Sequence, residues 1–215
     1  MVNWILFDLD DTLYPASVGL MQAIKDRMNE FMITRLGIPA AEVNRIRHDY
    51  WERYGTTLRG LYLERHIDPQ AFLNFVHSVP IRTFLQPDIR LGAMLAQLPQ
   101  EKDIFTNAPA KYAQEILSAL GIEKYFTRIF DINFIEYESK PAPAAYAKVL
   151  SALAAPAERC VMVDDTARNL LPAQKLGMRT VLVKGNPLND NEMGADVVIE
   201  TLYDLAETLL VLKPS

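Results

Sequence analysis

Short apolar runs recur along the chain, and each is followed by polar or small residues. They span residues 2–7, 104–105, 129–130, 161–163, 181–183 and 197–199. Their shortness and their content of Val, Ile and Phe are typical of buried strands rather than of helices. The first run ends directly at an Asp-rich turn, and we interpret it as a central strand of a parallel sheet.

Stretches with the periodicity of a helix lie between these runs. They cover residues 111–120, which end at Gly121, residues 143–153, and residues 168–176, which end at Gly177. Glycine directly after a helix is a common C-terminal signal. Because parallel strands need crossover connections, the alternation of strand and helix predicts an α/β fold. We expect a Rossmann-like, doubly wound parallel sheet with helices on both faces.

One long segment interrupts this alternation. It contains no convincing strand, and Asp68-Pro69 is a typical helix start, with an N-cap followed by proline at the first helical position. Its helix-like stretches cover residues 18–36, 40–54 and 68–79, with Gly37 and Pro80 as the expected ends. We predict a helical cap (lid) domain, residues 17–83, inserted into a Rossmann-like core formed by residues 1–16 and 84–215. The cap would lie over the first Asp-rich turn, because it leaves the core directly after it.

Composition and charge narrow the class of protein. With 215 residues, half of them apolar, the chain can bury one substantial core. Its formal net charge is -5 and its Lys and Arg residues are scattered, so we expect neither a nucleic-acid polymer nor a membrane as a partner. A small anionic ligand in a locally positive site is compatible with this charge. No secretory signal or membrane-spanning apolar stretch is seen, which makes the cytoplasm the expected location.

Several kinds of functional site are disfavoured by the residues present. The single cysteine, Cys160, excludes an internal disulfide and lies in an apolar run, where we expect a small buried side chain. All three histidines, His48, His66 and His77, fall in the predicted cap and not in the loops that follow strands, so a histidine-based site is not expected. No two of the nine glycines form a Gly-x-Gly pair, which excludes the glycine-rich dinucleotide fingerprint.

Carboxylates follow the first strand. Asp8 and Asp10, with Asp11 beside them, could form an ordinary solvated turn. Two carboxylates two residues apart on a turn can also point the same way, one as a nucleophile and the other as a proton donor. Their close negative charges then demand a cation or a shared proton. We favour this second interpretation.

Further polar residues follow other predicted strands. Thr106 and Asn107 follow the run at 104–105, and Asp164 and Asp165 follow the run at 161–163. The carboxyl ends of parallel strands meet at one edge of a sheet, which is where ligands bind in open α/β folds. Two adjacent carboxylates at such an edge are costly unless they are solvated or bind a cation, and oxygen-only ligands favour Mg²⁺ over zinc.

The string at residues 7–14, Phe-Asp-Leu-Asp-Asp-Thr-Leu-Tyr, resembles the first motif of the haloacid dehalogenase superfamily of phosphohydrolases. This resemblance implies that Asp8 is the nucleophile and that Asp10 is the general acid and base. It also implies that the main-chain carbonyl of Asp10 binds the metal, which the Asp8 nucleophile also touches. Dehalogenases proper lack a carboxylate at the position of Asp10, so the resemblance favours a phosphatase.

Three further strings resemble the remaining motifs of that superfamily. In the second, the Thr106 hydroxyl would bind a phosphoryl oxygen and Asn107 would orient the substrate. In the third, Lys140, followed by proline and a helix start, would offset the charge of Asp8 and of the phosphoryl group. In the fourth, Asp165 would bind Mg²⁺ with help from Asp164.

The residue four positions after Asp165 departs from the fourth motif. A second acidic residue often stands there, whereas this chain has Asn169. The composition of the outer metal shell is therefore left open.

Strings in the predicted cap and in the core carry the clues to the substrate. Residues 10–14, 50–60 and 133–137 resemble the pyrimidine 5′-nucleotidase branch of the superfamily, which implies nucleoside 5′-monophosphates as substrates. Tyr54, Thr56 and Arg59 are the candidate contacts to a base or sugar. Residues 50–60 are equally typical of a helix, a loop that begins at a glycine, and a second helix, and we assign Trp51 of that stretch to the core.

Other activities fit the same motifs. A phosphatase of another small metabolite, such as a sugar phosphate or phosphoglycolate, would use the same core with a different cap surface. A phosphomutase would use the same nucleophile and transfer the phosphoryl group to a second hydroxyl. A catalytically silent binding or regulatory module is disfavoured, because such a module has no chemical reason to keep Asp8, Asp10, Thr106, Lys140 and Asp165 together.

Overall fold

Six parallel strands form one sheet in a computed structural model that describes residues 2–184 and 195–211. The strand order is β3-β2-β1-β4-β5-β6, so β1 is central, as predicted. The strands are β1 (Trp4–Phe7), β2 (Glu101–Phe105), β3 (Arg128–Phe130), β4 (Cys160–Asp164), β5 (Arg179–Val183) and β6 (Val197–Ile199). All six lie at the predicted apolar runs, which confirms the predicted fold class.

The strand order places the end of β1 at a crevice. From β1 the chain builds β2 and β3 on one side, and it then returns to build β4 to β6 on the other. Phe7 is in register with Ile104 on β2 and with Val163 on β4, so the carboxyl ends of these three strands are level. Ligands of doubly wound sheets bind at such a point, where the strand order reverses.

The described residues also form nine α-helices. They are α1 (Leu20–Thr34), α2 (Ala40–Tyr54), α3 (Thr57–Arg65), α4 (Pro69–Val76), α5 (Ile89–Gln97), α6 (Ala110–Leu120), α7 (Pro143–Leu153), α8 (Ala167–Lys175) and α9 (Leu205–Val211). Short 3₁₀ turns lie at Ala16–Val18, Ile81–Thr83, Glu123–Tyr125, Ala157–Arg159 and Leu202–Asp204. None of the described helices combines the length and the apolar character that crossing a membrane requires.

The two faces of the sheet carry separate apolar clusters, because successive side chains of a strand point to opposite faces. Ile5 and Phe7 of β1 belong to one cluster, with residues of α5, α6 and α9. Leu6 belongs to the other, with residues of α7 and α8. Cys160 lies in this second cluster, where it is buried as expected.

Four helices, α1 to α4, connect β1 to the rest of the core. As predicted, the described residues 17–83 contain no strand. The Asp68 side chain accepts a hydrogen bond from the Gln70 N–H, which confirms the predicted N-cap of α4. This helix ends at Val76, three residues earlier than expected. The Val79 N–H donates to the His77 carbonyl at 3.0 Å instead of to a helical carbonyl, and Pro80 disfavours helical backbone at Val79.

The assignment of Trp51 to the core was wrong. Its side chain is 37% exposed, whereas the neighbouring Tyr50 is 2% exposed and fills the core. Adjacent residues of a helix point about 100° apart, so Trp51 lies at the edge of the buried face when Tyr50 points into the core. Trp51 lies instead beside the Arg168 guanidinium, whose central carbon is 5.1 Å from the ring centroid.

Candidate active site

A buried lysine joins two carboxylates at the end of β1 and β4. The Asp8 N–H donates to the Val163 carbonyl at 2.8 Å, which continues the strand pairing by one residue. Lys140 Nζ donates to Asp8 Oδ1 at 2.7 Å and to Asp164 Oδ2 at 2.8 Å. All three side chains are buried. The structure therefore brings together three residues that lie far apart in the sequence.

The main chain of Lys140 is held by Asn107. The Lys140 N–H donates to Asn107 Oδ1 at 2.8 Å, and Asn107 Nδ2 donates back to the Lys140 carbonyl at 3.1 Å. Both ends of the Asn107 amide are thus used to fix the loop between β3 and α7. We had expected this amide to orient the substrate. The structure shows it bound instead to the main chain of Lys140, the residue that carries the ammonium.

Three carboxylates form an oxygen-only group beside Lys140. Asp8, Asp164 and Asp165 each offer a carboxylate oxygen, and these atoms lie within 4.8 Å of one another. Asn169 Nδ2 donates to the two oxygens of Asp164 at 3.0 and 3.1 Å. Asn169 therefore supports the group as a hydrogen-bond donor to Asp164.

Two threonines shape the loops around these carboxylates. The Asp165 N–H donates to Thr12 Oγ1 at 3.0 Å, which links the turn after β1 to the turn after β4. Thr106 is buried, and its Oγ1 accepts a hydrogen bond from the Ala108 N–H at 3.0 Å. A hydroxyl that accepts one hydrogen bond keeps its own proton to donate. Thr106 is thus able to donate to a ligand oxygen.

Burial dominates the electrostatics of the site. It raises the pKa of Asp8 to about 7, against the opposing effect of the Lys140 ammonium. Burial also raises the pKa of Asp165, and the neighbouring charges of Asp164 and Asp8 add to this effect. For Lys140, burial lowers the pKa, but the carboxylates of Asp164 and Asp8 outweigh it and raise the pKa above its usual value. The site therefore holds more buried carboxylates than one ammonium can balance.

Asp10 lies on the same turn, and two tyrosines hold its carboxylate. Tyr14 and Tyr112 both donate their phenolic hydrogen to Asp10 Oδ1, the second at 2.9 Å. Burial raises the pKa of Asp10, and these two hydrogen bonds oppose the shift. Neither tyrosine is among the site residues predicted from the sequence. Tyr14 stands four residues after Asp10 and could have been noticed, whereas Tyr112 begins a distant helix and has no local signal.

One histidine lies closer to this site than we expected. The ring of His77, at the end of α4, is 4.5 Å from the ring of Tyr112 between centroids. Burial lowers the pKa of His77 to about 4, so this ring is neutral at physiological pH. His77 therefore packs as an uncharged aromatic side chain behind Tyr112.

The cap residues suggested as substrate contacts bind other protein groups. Arg59 donates to the Tyr137 carbonyl and to Glu138 Oε1, both at 2.8 Å. Thr56 Oγ1 lies 3.2 Å from Ser139 Oγ, and Tyr54 donates its hydroxyl to Glu64 Oε1 at 2.6 Å. Arg59 and Thr56 thus connect residues 17–83, called the helical segment below, to the loop that precedes Lys140. Tyr54 contacts a residue of the helical segment itself.

Comparison with known proteins places this geometry in a family. The sequence model of the haloacid dehalogenase-like hydrolase family matches residues 2–177. The chain is 29% identical over 192 residues to phosphate metabolism protein 8 of Saccharomyces cerevisiae. This match includes 82% of this chain and 60% of the yeast protein. The chain is 28% identical over 230 residues to glyceraldehyde 3-phosphate phosphatase of Methanocaldococcus jannaschii, with 99% of both proteins covered. The chain thus spans 60% of the length of the yeast protein.

A solved structure shows the same fold. A HAD phosphatase from Thermococcus onnurineus superposes with a TM-score of 0.67 over 97% of this chain and 98% of that chain, at 22% sequence identity. The likeness covers both the sheet and the helical segment, since nearly all of each chain is included.

Proposed function

The chain belongs to the haloacid dehalogenase-like hydrolases and is a phosphoric monoester hydrolase, and from this premise we propose that Asp8 is its nucleophile and Mg²⁺ its cofactor. The observation that carries the proposal is the contact of one ammonium, Lys140 Nζ, with Asp8 at 2.7 Å and with Asp164 at 2.8 Å. This contact sets a positive charge beside the attacking oxygen, where a phosphoryl group would arrive.

The reaction consists of two transfers at phosphorus. Asp8 attacks and forms an aspartyl-phosphate, while Asp10 protonates the leaving oxygen. Asp10 then takes a proton from the water that cleaves this intermediate. Lys140 and the Thr106 hydroxyl stabilise the negative charge on the phosphoryl oxygens.

The carboxylates present fit Mg²⁺. Asp8, Asp164 and Asp165 supply only oxygen ligands, and the main-chain carbonyl of Asp10 is a fourth candidate. When bound, the ion neutralises charge on the phosphoryl oxygens and orients them. It would also balance the excess of buried negative charge that raises the pKa of Asp8 and Asp165.

We further propose that residues 17–83 act as a lid over this site. Gly55, at the end of α2, lies so close to Lys140 that a Cβ atom added to it would be 2.7 Å from the Lys140 carbonyl oxygen. Arg168 of α8 donates to the carbonyls of Trp51 and Glu52 at 2.8 and 2.6 Å. The segment therefore touches the loop that carries Lys140 and the helix that begins two residues after Asp165, which is where a lid must act.

For the substrate we propose nucleoside 5′-monophosphates, as implied by the likeness of residues 10–14, 50–60 and 133–137 to pyrimidine 5′-nucleotidases. Tyr54 and Arg59 remain the proposed contacts to the base or sugar, and Arg59 would have to exchange its present partners for the substrate. A small sugar phosphate is the second candidate, because the archaeal relative is named for glyceraldehyde 3-phosphate.

The test is phosphate release with and without Mg²⁺ from pyrimidine and purine nucleotides, sugar phosphates and phosphoglycolate. We expect Asp8→Asn to lower turnover by on the order of 10⁴-fold or more, because it removes the nucleophile. Asp26→Asn, on the exposed side of α1, is the matched control and should stay active. No phosphate release from any ester, or full activity of Asp8→Asn, would contradict the proposal. Phosphate appearing on a second sugar hydroxyl rather than in solution would identify a phosphomutase.

A further inference from the structure

Both hydrogen bonds to Asp10 reach the same oxygen atom. Tyr14 comes from the turn after β1, and Tyr112 comes from the first turn of α6, so two separate elements aim their phenols at Oδ1. Among the described residues no hydrogen bond reaches Oδ2 of Asp10. The two oxygens of this carboxylate are thus in different environments.

The tyrosines are themselves held firmly. The side chains of Tyr14 and Tyr112 are 4% and 3% exposed, and both lie in the apolar cluster on one face of the sheet. His77 packs against the Tyr112 ring, and its Nδ1 lies 2.9 Å from the Leu73 carbonyl, which fixes the imidazole. Rigidly packed donors hold a carboxylate in one orientation, because rotation would break both hydrogen bonds at once.

We propose that Tyr14 and Tyr112 are positioning residues that keep Oδ1 of Asp10 occupied, so that Oδ2 is the atom that exchanges a proton with the substrate. This inference rests on the proposed function and deepens it. In the first transfer, the proton on Oδ2 moves to the leaving oxygen as its bond to phosphorus breaks and the Asp8–phosphorus bond forms. In the second, Oδ2 takes a proton from water as the water oxygen bonds to phosphorus and Asp8 leaves.

Two esters with different leaving groups distinguish a role of the tyrosines in positioning Asp10 from a general structural role. A poor leaving group, such as the alkoxide of a sugar phosphate, needs a proton as it departs, whereas p-nitrophenolate departs without one. The ratio kcat/KM reports the steps up to the first irreversible one, which includes departure of the leaving group. We therefore compare kcat/KM for ribose 5-phosphate and for p-nitrophenyl phosphate.

We expect the Tyr14→Phe, Tyr112→Phe double variant to lose about 10- to 100-fold in kcat/KM for ribose 5-phosphate and less than about threefold for p-nitrophenyl phosphate, since general acids contribute about 10²–10⁴-fold. Each single variant should show a smaller loss of the same kind. In an Asp10→Asn background the two Phe substitutions should have no further effect, because they act through Asp10.

Tyr203→Phe is the matched control. It also removes one phenol–carboxylate hydrogen bond, from Tyr203 to Asp88 Oδ2 at 2.7 Å, but at a distance from the site. It should leave kcat/KM for both esters unchanged, and the melting temperature of every variant shows that it is folded.

The outcomes distinguish the two proposals. Equal losses on both esters in the double variant, or further losses in the Asp10→Asn background, would overturn the positioning role while the phosphatase remains active. A wild-type protein that hydrolyses neither ester would overturn the proposed function, and this inference with it.

Discussion

At the scale of single residues, the approach of Gly55 to Lys140 offers a direct test of how the lysine is placed. Gly55 has a φ of +87°, and an added Cβ would lie 2.7 Å from the Lys140 carbonyl oxygen and 2.8 Å from Pro141 Cδ. We expect Gly55→Ala to lower kcat/KM by about 10- to 100-fold on every ester, since a shift of about 1 Å at a catalytic group costs up to about 10²-fold. The measurement is kcat/KM together with the melting temperature.

Gly37→Ala is the matched control for this substitution. Gly37 also has a positive φ, +65°, but no atom lies within 4 Å of the position of an added Cβ. Gly37→Ala should lower the free energy of unfolding by about 1–2 kcal/mol through backbone strain alone and leave activity intact. Equal activity of the two alanine variants would show that the contact with Lys140 has no role in placing the ammonium.

The residues of the site differ in how far the sequence could predict them. Asp8, Asp164 and Asp165 follow apolar runs directly, so the carboxyl-end rule for parallel strands predicts their meeting. The role of Asn107 as a partner of the Lys140 main chain was not predictable, because it depends on how two loops approach each other. The same holds for Tyr112, whose partner lies 102 residues earlier.

At the scale of elements, one arginine connects the helical segment to the core. Arg168 of α8 donates to the Trp51 and Glu52 carbonyls, at the C-terminal end of α2. The Trp51 carbonyl also accepts from the Gly55 N–H at 3.0 Å. A cation beside the last carbonyls of a helix is favourable by about 0.3–1 kcal/mol, or up to about 2 when partly buried. We expect Arg168→Gln to speed hydrogen exchange of the last amides of α2 and to raise KM more than it lowers kcat.

Arg45→Gln is the matched control for Arg168→Gln. Arg45 also lies on the helical segment, where it forms an exposed ion pair with Glu42 of the same helix at 3.3 Å. Its loss should leave hydrogen exchange at the end of α2 and the KM value unchanged. If Arg168→Gln behaves like this control, the contact of α8 with α2 does not hold the segment over the site.

Elements with strong local signals were predicted better than those without. The six strands have compact apolar runs, and α6 and α7 begin and end within one residue of the prediction. Two helices of the core, α5 and α9, were missed, although the Asp88 side chain caps α5 by accepting from the Leu91 N–H at 2.8 Å. Both helices are short, with nine residues in α5 and seven in α9, so tertiary packing rather than periodicity defines them.

At the scale of the whole molecule, the buried carboxylates link folding to pH and to metal. Burial raises the pKa of Asp8 to about 7 and, with the charge of Asp10 adding to it, the pKa of Asp11 to about 6. An acid whose pKa is higher in the folded state binds protons more tightly there than in the unfolded chain. The metal-free protein should therefore lose stability as pH rises from about 4 through about 7.

Mg²⁺ should reverse this loss where the carboxylates are ionised, because it binds the folded protein and not the unfolded chain. At about 100 times its Kd, a ligand adds about 2.7 kcal/mol, which is on the order of 5–10 °C in the melting temperature of a chain of this size. We expect such a rise at pH 8 and little at pH 5, where protons compete with the ion. The measurement is thermal unfolding at both pH values with EDTA or with Mg²⁺.

Two substitutions make this prediction specific to the site. Asp165→Asn removes one of the three clustered carboxylates and should abolish the rise with Mg²⁺ at pH 8, while raising the stability of the metal-free protein at that pH. Asp49→Asn, on the exposed side of α2 beside Arg53, should keep the full response. A metal-free protein that gains stability between pH 5 and pH 8 would contradict the assigned direction of the shifts. A response to Mg²⁺ that survives in Asp165→Asn would place the ion elsewhere, because the remaining buried pair, Asp8 and Asp164, is already joined by Lys140.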